Sequence, residues 1–225
     1  MPEANLQKRV DEFLNKDKRY AEYKKQIQEE NKSTEYVQPT FVSPSTYDGP
    51  DLYKGMDEPA KRIHSKIDDM QFNGEATSRE AEILKAMTFA ESSDGKLLES
   101  TMGARGPLQF MPETWRTVIM PKFGYKEEDI DDFDKNIEAG LYYFRYLMGK
   151  FGNDEEKAIA AYNLGETKLR AIIREHGKEW RRFLFDPDKN KDYQTKGHLQ
   201  KINRKLENRW VKDEEEYARM FERTK

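Results

Sequence analysis

Glu91 is the residue from which chemistry can first be argued. It follows Met87 by four positions and Leu84 by seven, a spacing that returns a side chain to the same helical face. A carboxyl drawn onto an apolar face resists ionisation, because burial disfavours the charged form and raises its pKa. Such a group keeps its proton and can pass it on as an acid. The alternative is a helix that ends here, with Glu91 and Ser92 simply meeting water. Two other runs hold uncommon combinations. Gly103-Ala104-Arg105-Gly106-Pro107-Leu108-Gln109-Phe110-Met111-Pro112 sets two glycines and a proline beside an apolar stretch, where backbone can approach a ligand closely and Pro112 suits a first helical turn. Ala160-Ala161-Tyr162-Asn163-Leu164-Gly165 ends a helix with a phenol and an amide beside a glycine. Asp186, Asp188, Asn190 and Asp192 alternate like the oxygen ligands of a calcium loop. The sixth position is Lys191 where that loop needs glycine, and the twelfth is Gly197 where it needs a bidentate glutamate. A solvated acidic turn is expected there.

The elements that must position these residues are helical. Thr77-Ser78-Arg79-Glu80 has the form of a capping box and starts a helix through Ile83, Leu84, Met87 and Phe89 to Glu91. Before it, Pro59 suits the first turn of a short helix with Ile63, Ile67 and Met70 on one side. After it, helices are expected at 112–120, at 136–151 with Ile137, Leu141, Phe144, Met148 and Phe151 as a core stripe, and at 154–163 and 166–176. An aromatic patch at Trp180–Phe185 and a last helix at 198–223, with Leu199, Ile202, Leu206 and Trp210 on one face, complete the pattern. No stretch alternates as a strand, and no fixed-period repeat is seen. The N-terminal side reads as a charged helix over 6–30 and a Pro-containing linker over 31–59. The expected division is 1–75 for the charged helix, linker and short helix, 76–205 for an all-α domain, and 206–225 for a helical extension.

Composition removes several classes. Absence of cysteine rules out a disulfide frame, a thiolate metal site and a cysteine nucleophile. Three histidines, widely separated, give little support to a histidine metal centre or a serine triad. Lys plus Arg (40) nearly balance Asp plus Glu (43), for a net charge of -3, so no global field favours nucleic acid. Charged residues make up 37% against 36% hydrophobic, with a mean hydropathy of -1.07, and the shortfall of apolar residues is expected at the two ends. No run approaches the roughly 20 apolar residues of a membrane span, and the first residues lack the apolar core of a secretion signal.

Taken together and in order, Glu91-Ser92, Gly103 to Pro112, then Asn136-Ile137 with Gly140, and Ala161-Tyr162-Asn163 with Gly165 resemble the catalytic domain of lytic transglycosylases related to goose-type lysozyme. Gly103 follows Glu91 by twelve positions, the spacing associated with that family, and the resemblance covers about 80 to 202. Four linked motifs are far more specific than one. The resemblance implies a lysozyme-like all-α fold and non-hydrolytic cleavage of the β-1,4 bond between N-acetylmuramic acid and N-acetylglucosamine in peptidoglycan, with 1,6-anhydromuramic acid ends and no metal or cofactor. It makes Glu91 the single acid and base, where glycosidases ordinarily use two carboxylates. Tyr162 would orient the Glu91 carboxyl by a hydrogen bond. Ser100 and Gln109 would touch the sugar or its N-acetyl group, and Met111 and Asn163 would line the cleft. His198, in a weaker matching stretch with Gln194, Thr195, Leu199 and Ile202, stands where a tyrosine is usual and would contact substrate. Pro107, Leu108, Asp94, Leu164 and Glu166 depart from the usual pattern. Asp94, Glu99 or Glu113 as a second carboxylate would turn the reaction hydrolytic, and a non-catalytic structural protein retaining the fold is the competing class. Without a secretion signal, a wall-cutting domain implies delivery by a phage particle, a secretion machine or a holin-type pore; the leading expectation is a phage virion or ejection protein acting in the host periplasm and cell wall, with residues 1–75 contacting other virion proteins.

Overall fold

A computed structural model describes residues 53–186 and 193–206. Helix α1 (Glu58–Phe72) starts where Asp57 accepts a hydrogen bond from the Ala60 N–H (3.1 Å), with Pro59 in the first turn. Its Ile63, Ile67 and Met70 are buried. Although the expected boundary at 75/76 sets this helix apart, its apolar face packs into the same core as the helices that follow. Helix α2 (Ser78–Ser92) begins with the full capping box, in which Glu80 accepts from the Thr77 N–H (2.8 Å) while the Glu80 N–H donates to Thr77 Oγ1 (3.2 Å). Ile83, Leu84 and Met87 are fully buried. Phe89, expected on that stripe, is exposed instead and lies under the Lys205 ammonium at 4.3 Å.

The segment expected as one helix over 112–120 is composite: α3 (Pro112–Thr114), a π-turn (Trp115–Ile119) and α4 (Met120–Phe123). Pro121 has no N–H and its ring excludes the ordinary carbonyl position four residues back. The Met120 N–H reaches instead to Trp115 O, the wider π spacing. Trp115 and Ile119 are thereby turned fully into the core. Helix α5 (Phe133–Lys150), capped by Asp132, starts three residues before the expected 136. With Ile137, Phe144 and Leu147 essentially inaccessible, it forms the floor of the domain, in contact with α1, α2 and α6 (Glu155–Leu164).

Helices α7 (Glu166–His176), α8 (Trp180–Phe185) and α9 (Tyr193–Lys205) close the far side. The last begins five residues before the expected 198, and the proposed continuation to 223 lies outside the described residues, as do the helix over 6–30, the linker to residue 52 and most of the acidic turn after Asp186. Thr195, His198, Leu199 and Ile202 are buried at the i, i+3, i+4, i+7 spacing of one helical face, and α9 packs that face onto α2, α6 and α8. Among the described residues there is no strand, only isolated bridges joining Glu99 to Arg105 and Arg105 to Phe110, and no helix long and apolar enough to cross a membrane.

Candidate active site

The last turn of α2 carries Glu91 and Ser92. Ser92 is inaccessible, donating to Thr88 O (3.1 Å) and accepting from the Gly95 N–H (2.9 Å), so the helix does not end in water. Its chain reverses through Ser93 and Asp94, both at positive φ (54° and 57°), a conformation that non-glycine residues adopt only when neighbours hold them. Asp94 is held by Thr88 Oγ1, which donates to its Oδ1 (3.0 Å), and by His64 Nε2 at 3.5 Å. Burial would raise the Asp94 carboxyl, but His64 and Thr88 outweigh it and keep it below the usual carboxylate range. This carboxylate is thus engaged in fixing the turn behind Glu91. Glu99 and Glu113 are exposed.

The side chain of Glu91 is 12% exposed, and its Oε1 lies 2.8 Å from His198 Nε2 on α9. The approach is close enough for an ion pair, yet its angles are not those of a hydrogen bond, and both ring nitrogens of His198 lack a hydrogen-bond partner among the described residues. Tyr162 lies near enough for the Glu91 charge to act on it. Burial first, and then Glu91 and Tyr143, push its phenol well above the ordinary tyrosine range. The hydroxyl donates to Leu108 O (3.0 Å), not to the carboxyl of Glu91 as expected. Its ring packs against Phe110 (5.8 Å) and Tyr143 (5.3 Å). Spacing on α5 could have flagged Tyr143, next to the stripe residue Phe144.

Opposite α2 stands the loop from Leu97 to Met111. Mutual bonds between Arg105 and Phe110 (2.9 Å each) and between Ser100 and Ala104 give it two short pairings. The third sequence motif supplies its foundation. Asn136 is fully buried; its Oδ1 accepts from the Leu108 N–H (2.9 Å) and its Nδ2 donates to Ile130 O (2.8 Å). A Cβ at Gly106 (φ +79°) would collide with the Asn136 amide, and one at Gly140 with the Leu108 side chain. Asn136, Gly140, Leu108 and Tyr162 therefore form one support running from the floor helix to the vicinity of Glu91.

Gln109 sits at φ +48°. Its Nε2 donates to Gly106 O (2.9 Å) and Leu97 O (3.2 Å), which uses both amide hydrogens and leaves Oε1 as an acceptor. Ser100 Oγ accepts from the Ala104 N–H (2.9 Å), so its own hydrogen is free to donate outward. Met111 precedes α3 with 44% exposure. Asn163, exposed at the end of α6, accepts at Oδ1 from Thr195 Oγ1 (2.8 Å), leaving its N–H donors outward. The site thus brings Glu91, Tyr162 and His198 together and sets Ser100 and Gln109 on one braced loop. The side chain of Gln194 lies outside the described residues.

An all-α domain whose last turn of α2 sets a largely buried carboxyl beside a histidine, near a braced glycine-rich loop and an aromatic cluster, has the design of a lysozyme-like transglycosylase domain. Comparison with known proteins gives the family. The transglycosylase SLT domain matches residues 69–184, just over half of the chain, and the chain belongs to that family, that of peptidoglycan lytic transglycosylase domains. It is similar to the peptidoglycan transglycosylase gp16 of Escherichia phage T7, at 28% identity over 148 residues, covering 60% of this chain and 11% of that protein. It is also similar to the soluble lytic murein transglycosylase of Escherichia coli K12, at 34% identity over 91 residues, covering 39% of this chain and 14% of that protein. The chain therefore spans a small part of the length of these relatives. No solved structure matches it.

Proposed function

We propose that this domain cleaves the β-1,4 bond between N-acetylmuramic acid and N-acetylglucosamine in peptidoglycan without water, using Glu91 as its one acid and base. Glu91 gives its proton to the glycosidic oxygen as the bond from that oxygen to C1 of muramic acid breaks. The N-acetyl group of the substrate stabilises the cationic centre at C1. The Glu91 carboxylate then takes the proton of the muramic acid 6-hydroxyl as its oxygen bonds to C1, leaving a 1,6-anhydro end and a reprotonated acid. The supporting observation is that Glu91 is the largely buried carboxyl beside the cleft loop, while Asp94, the nearest carboxylate in sequence, is committed to Thr88 and His64. Gln109 Oε1, the Ser100 hydroxyl and the outward Asn163 amide supply the acceptor and donors that an N-acetylated sugar requires, with Met111 as apolar lining.

The names of the similar proteins, one a phage peptidoglycan transglycosylase and one a soluble lytic murein transglycosylase, support the substrate, and the phage origin of the first supports the reading that this chain acts for a phage. In that setting residues 1–75 contact other virion proteins and the domain opens the host wall. Digestion of purified sacculi, with mass spectrometry of the released muropeptides, tests the reaction. Anhydro ends that vanish in Glu91→Gln support it, reducing-end muramic acid converts the reading to a lysozyme, and intact sacculi reject catalysis. Detection of the chain in purified particles tests the delivery route, and its absence from them counts against it.

A further inference from the structure

His198 is only 6% exposed, yet neither ring nitrogen has a hydrogen-bond partner among the described residues. Buried polar groups are ordinarily satisfied, since leaving one unpaired forfeits its hydration without return. What lies beside His198 is the Glu91 carboxyl, Nε2 to Oε1 2.8 Å. At that separation the charge of either side chain acts directly on the other.

The other charged and titratable groups presented by the helices packed on α9 are engaged elsewhere. Asp94, just beyond α2, is held by His64 and Thr88 and feels Lys205. Tyr162 on α6 donates to Leu108 O, and Glu156 at the start of α6 pairs with Arg181 of α8 at 2.8 Å. Arg182 of α8 faces Glu179 at 3.8 Å. On α9 itself, Lys196 lies over the Phe185 ring and Lys205 over Phe89.

We infer that His198 is a positioning and proton-sharing partner of Glu91, not a substrate-binding residue, and that it keeps a proton available to the acid at a higher pH than the carboxyl would hold alone. This rests on the reading of Glu91 as acid and base. One proton resides on the pair, either as carboxylic acid beside neutral imidazole or as carboxylate beside imidazolium. Either microstate counts toward the affinity for that last proton, so the pair surrenders it later than an isolated carboxyl. During cleavage the proton goes to the leaving oxygen, and the pair stands as carboxylate and neutral imidazole. Capture of the 6-hydroxyl proton restores the count, and no proton is gained or lost over the cycle.

The tests are a pH–rate profile of sacculus digestion by wild type, His198→Gln and His198→Phe, and a histidine NMR titration of wild type and Glu91→Gln. The alkaline limb is expected to move down by about one pH unit in both His198 variants, with activity retained on the acid side. A merely structural residue would lower the rate by the same factor at every pH, and that result overturns the inference. In the NMR arm the His198 midpoint falls in Glu91→Gln, because the neighbouring carboxylate no longer stabilises the imidazolium. An unchanged midpoint equally overturns it. The NMR arm needs no His198 variant to fold. Should wild type leave sacculi intact at every pH, the proposed function fails, while the coupling between the two side chains is still read from the midpoints.

Discussion

Helix α2 carries two glutamates on one side, Glu80 buried and Glu91 largely so, and their surroundings differ in kind. At its start, Glu80 has a side chain 4% exposed and meets the Arg145 guanidinium twice (2.7 and 2.8 Å), the Thr77 N–H and the Thr77 hydroxyl. Burial alone would raise its carboxyl; Arg145 and Thr77 overcome that and hold it below the usual range. At the other end Glu91 is largely buried, with a side chain 12% exposed, and among the described residues has a histidine in poor hydrogen-bond geometry beside it. The first end is satisfied and ionised, as structure requires. The second places its carboxyl beside a histidine, with no arginine or backbone N–H held to it among the described residues, as an acid-base cycle requires. Burial alone therefore does not mark a catalytic carboxyl. What distinguishes Glu91 among the described residues is a largely buried carboxyl with a histidine, not an arginine or a backbone N–H, against it.

The comparison breaks first at Glu91. Glu91→Gln is expected to lower the rate of sacculus digestion by about 10³-fold, while thermal unfolding stays where it is or moves up, since an under-compensated group has been removed. A fall in melting temperature instead would make Glu91 a structural residue like Glu80. The reverse pattern is expected at the other end. Arg145→Ala leaves the Glu80 charge buried and unpaired, a change that costs about 3–5 kcal/mol by denaturant unfolding. At a temperature where the variant is folded, its product pattern should match wild type.

Much of this contrast was legible in one dimension, because it depends on local spacing. Thr77 and Glu80 announce a capping box three residues apart, and the structure contains both of its hydrogen bonds. Glu91 returns to the face of Leu84 and Met87. Partners distant in sequence were not legible. Arg145 reaches Glu80 across 65 positions, and no local pattern on α5 distinguishes it from a solvated arginine. His198 reaches Glu91 only because α9 folds back onto α2, so the sequence supports a substrate contact as readily as a contact with the acid. Asn136 and Gly140 stood out as a motif, yet their role as the seat of Leu108 requires the loop to be packed over α5. Phe89 was misplaced because two residues past Met87 is about 200° round the helix, the side that meets Lys205 and not the core. The π-turn follows from Pro121, whose effect on the preceding turn outweighs the apolar spacing that suggested a regular helix.

That seat gives the next measurement. Gly140→Ala drives a methyl into the Leu108 side chain, an overpacking expected to cost about 1–3 kcal/mol. Because Leu108 joins Asn136 to Tyr162, activity should fall with stability here, unlike at either glutamate. Loss of stability with full activity would show that the loop tolerates displacement of its foundation. A smaller effect is the pH dependence of the satisfied end. The native pKa of Glu80 is depressed, so its contribution is fully present above the unfolded value of about 4.3 and is lost as pH falls through that value toward the native one. The difference in melting temperature between wild type and Glu80→Gln should therefore be widest at neutral pH and shrink in acid. A constant gap would mean that the carboxylate charge contributes nothing to the pairing.

The smallest change asks which end of the comparison Tyr162 belongs to. Its hydroxyl gives its hydrogen to Leu108 O, a structural bond, while the Glu91 charge nearby helps hold the phenol protonated. Tyr162→Phe removes one neutral hydrogen bond, worth about 1 kcal/mol. A hydroxyl serving only the loop would show that loss in unfolding experiments and leave kcat unaltered. A hydroxyl whose oxygen also orients Glu91, accepting from the carboxyl while it is protonated, would lower kcat on its loss by about tenfold with little change in KM. The second outcome is expected, because the hydroxyl lies where the Glu91 charge acts on it and its lone pairs can still accept after its hydrogen is given to Leu108.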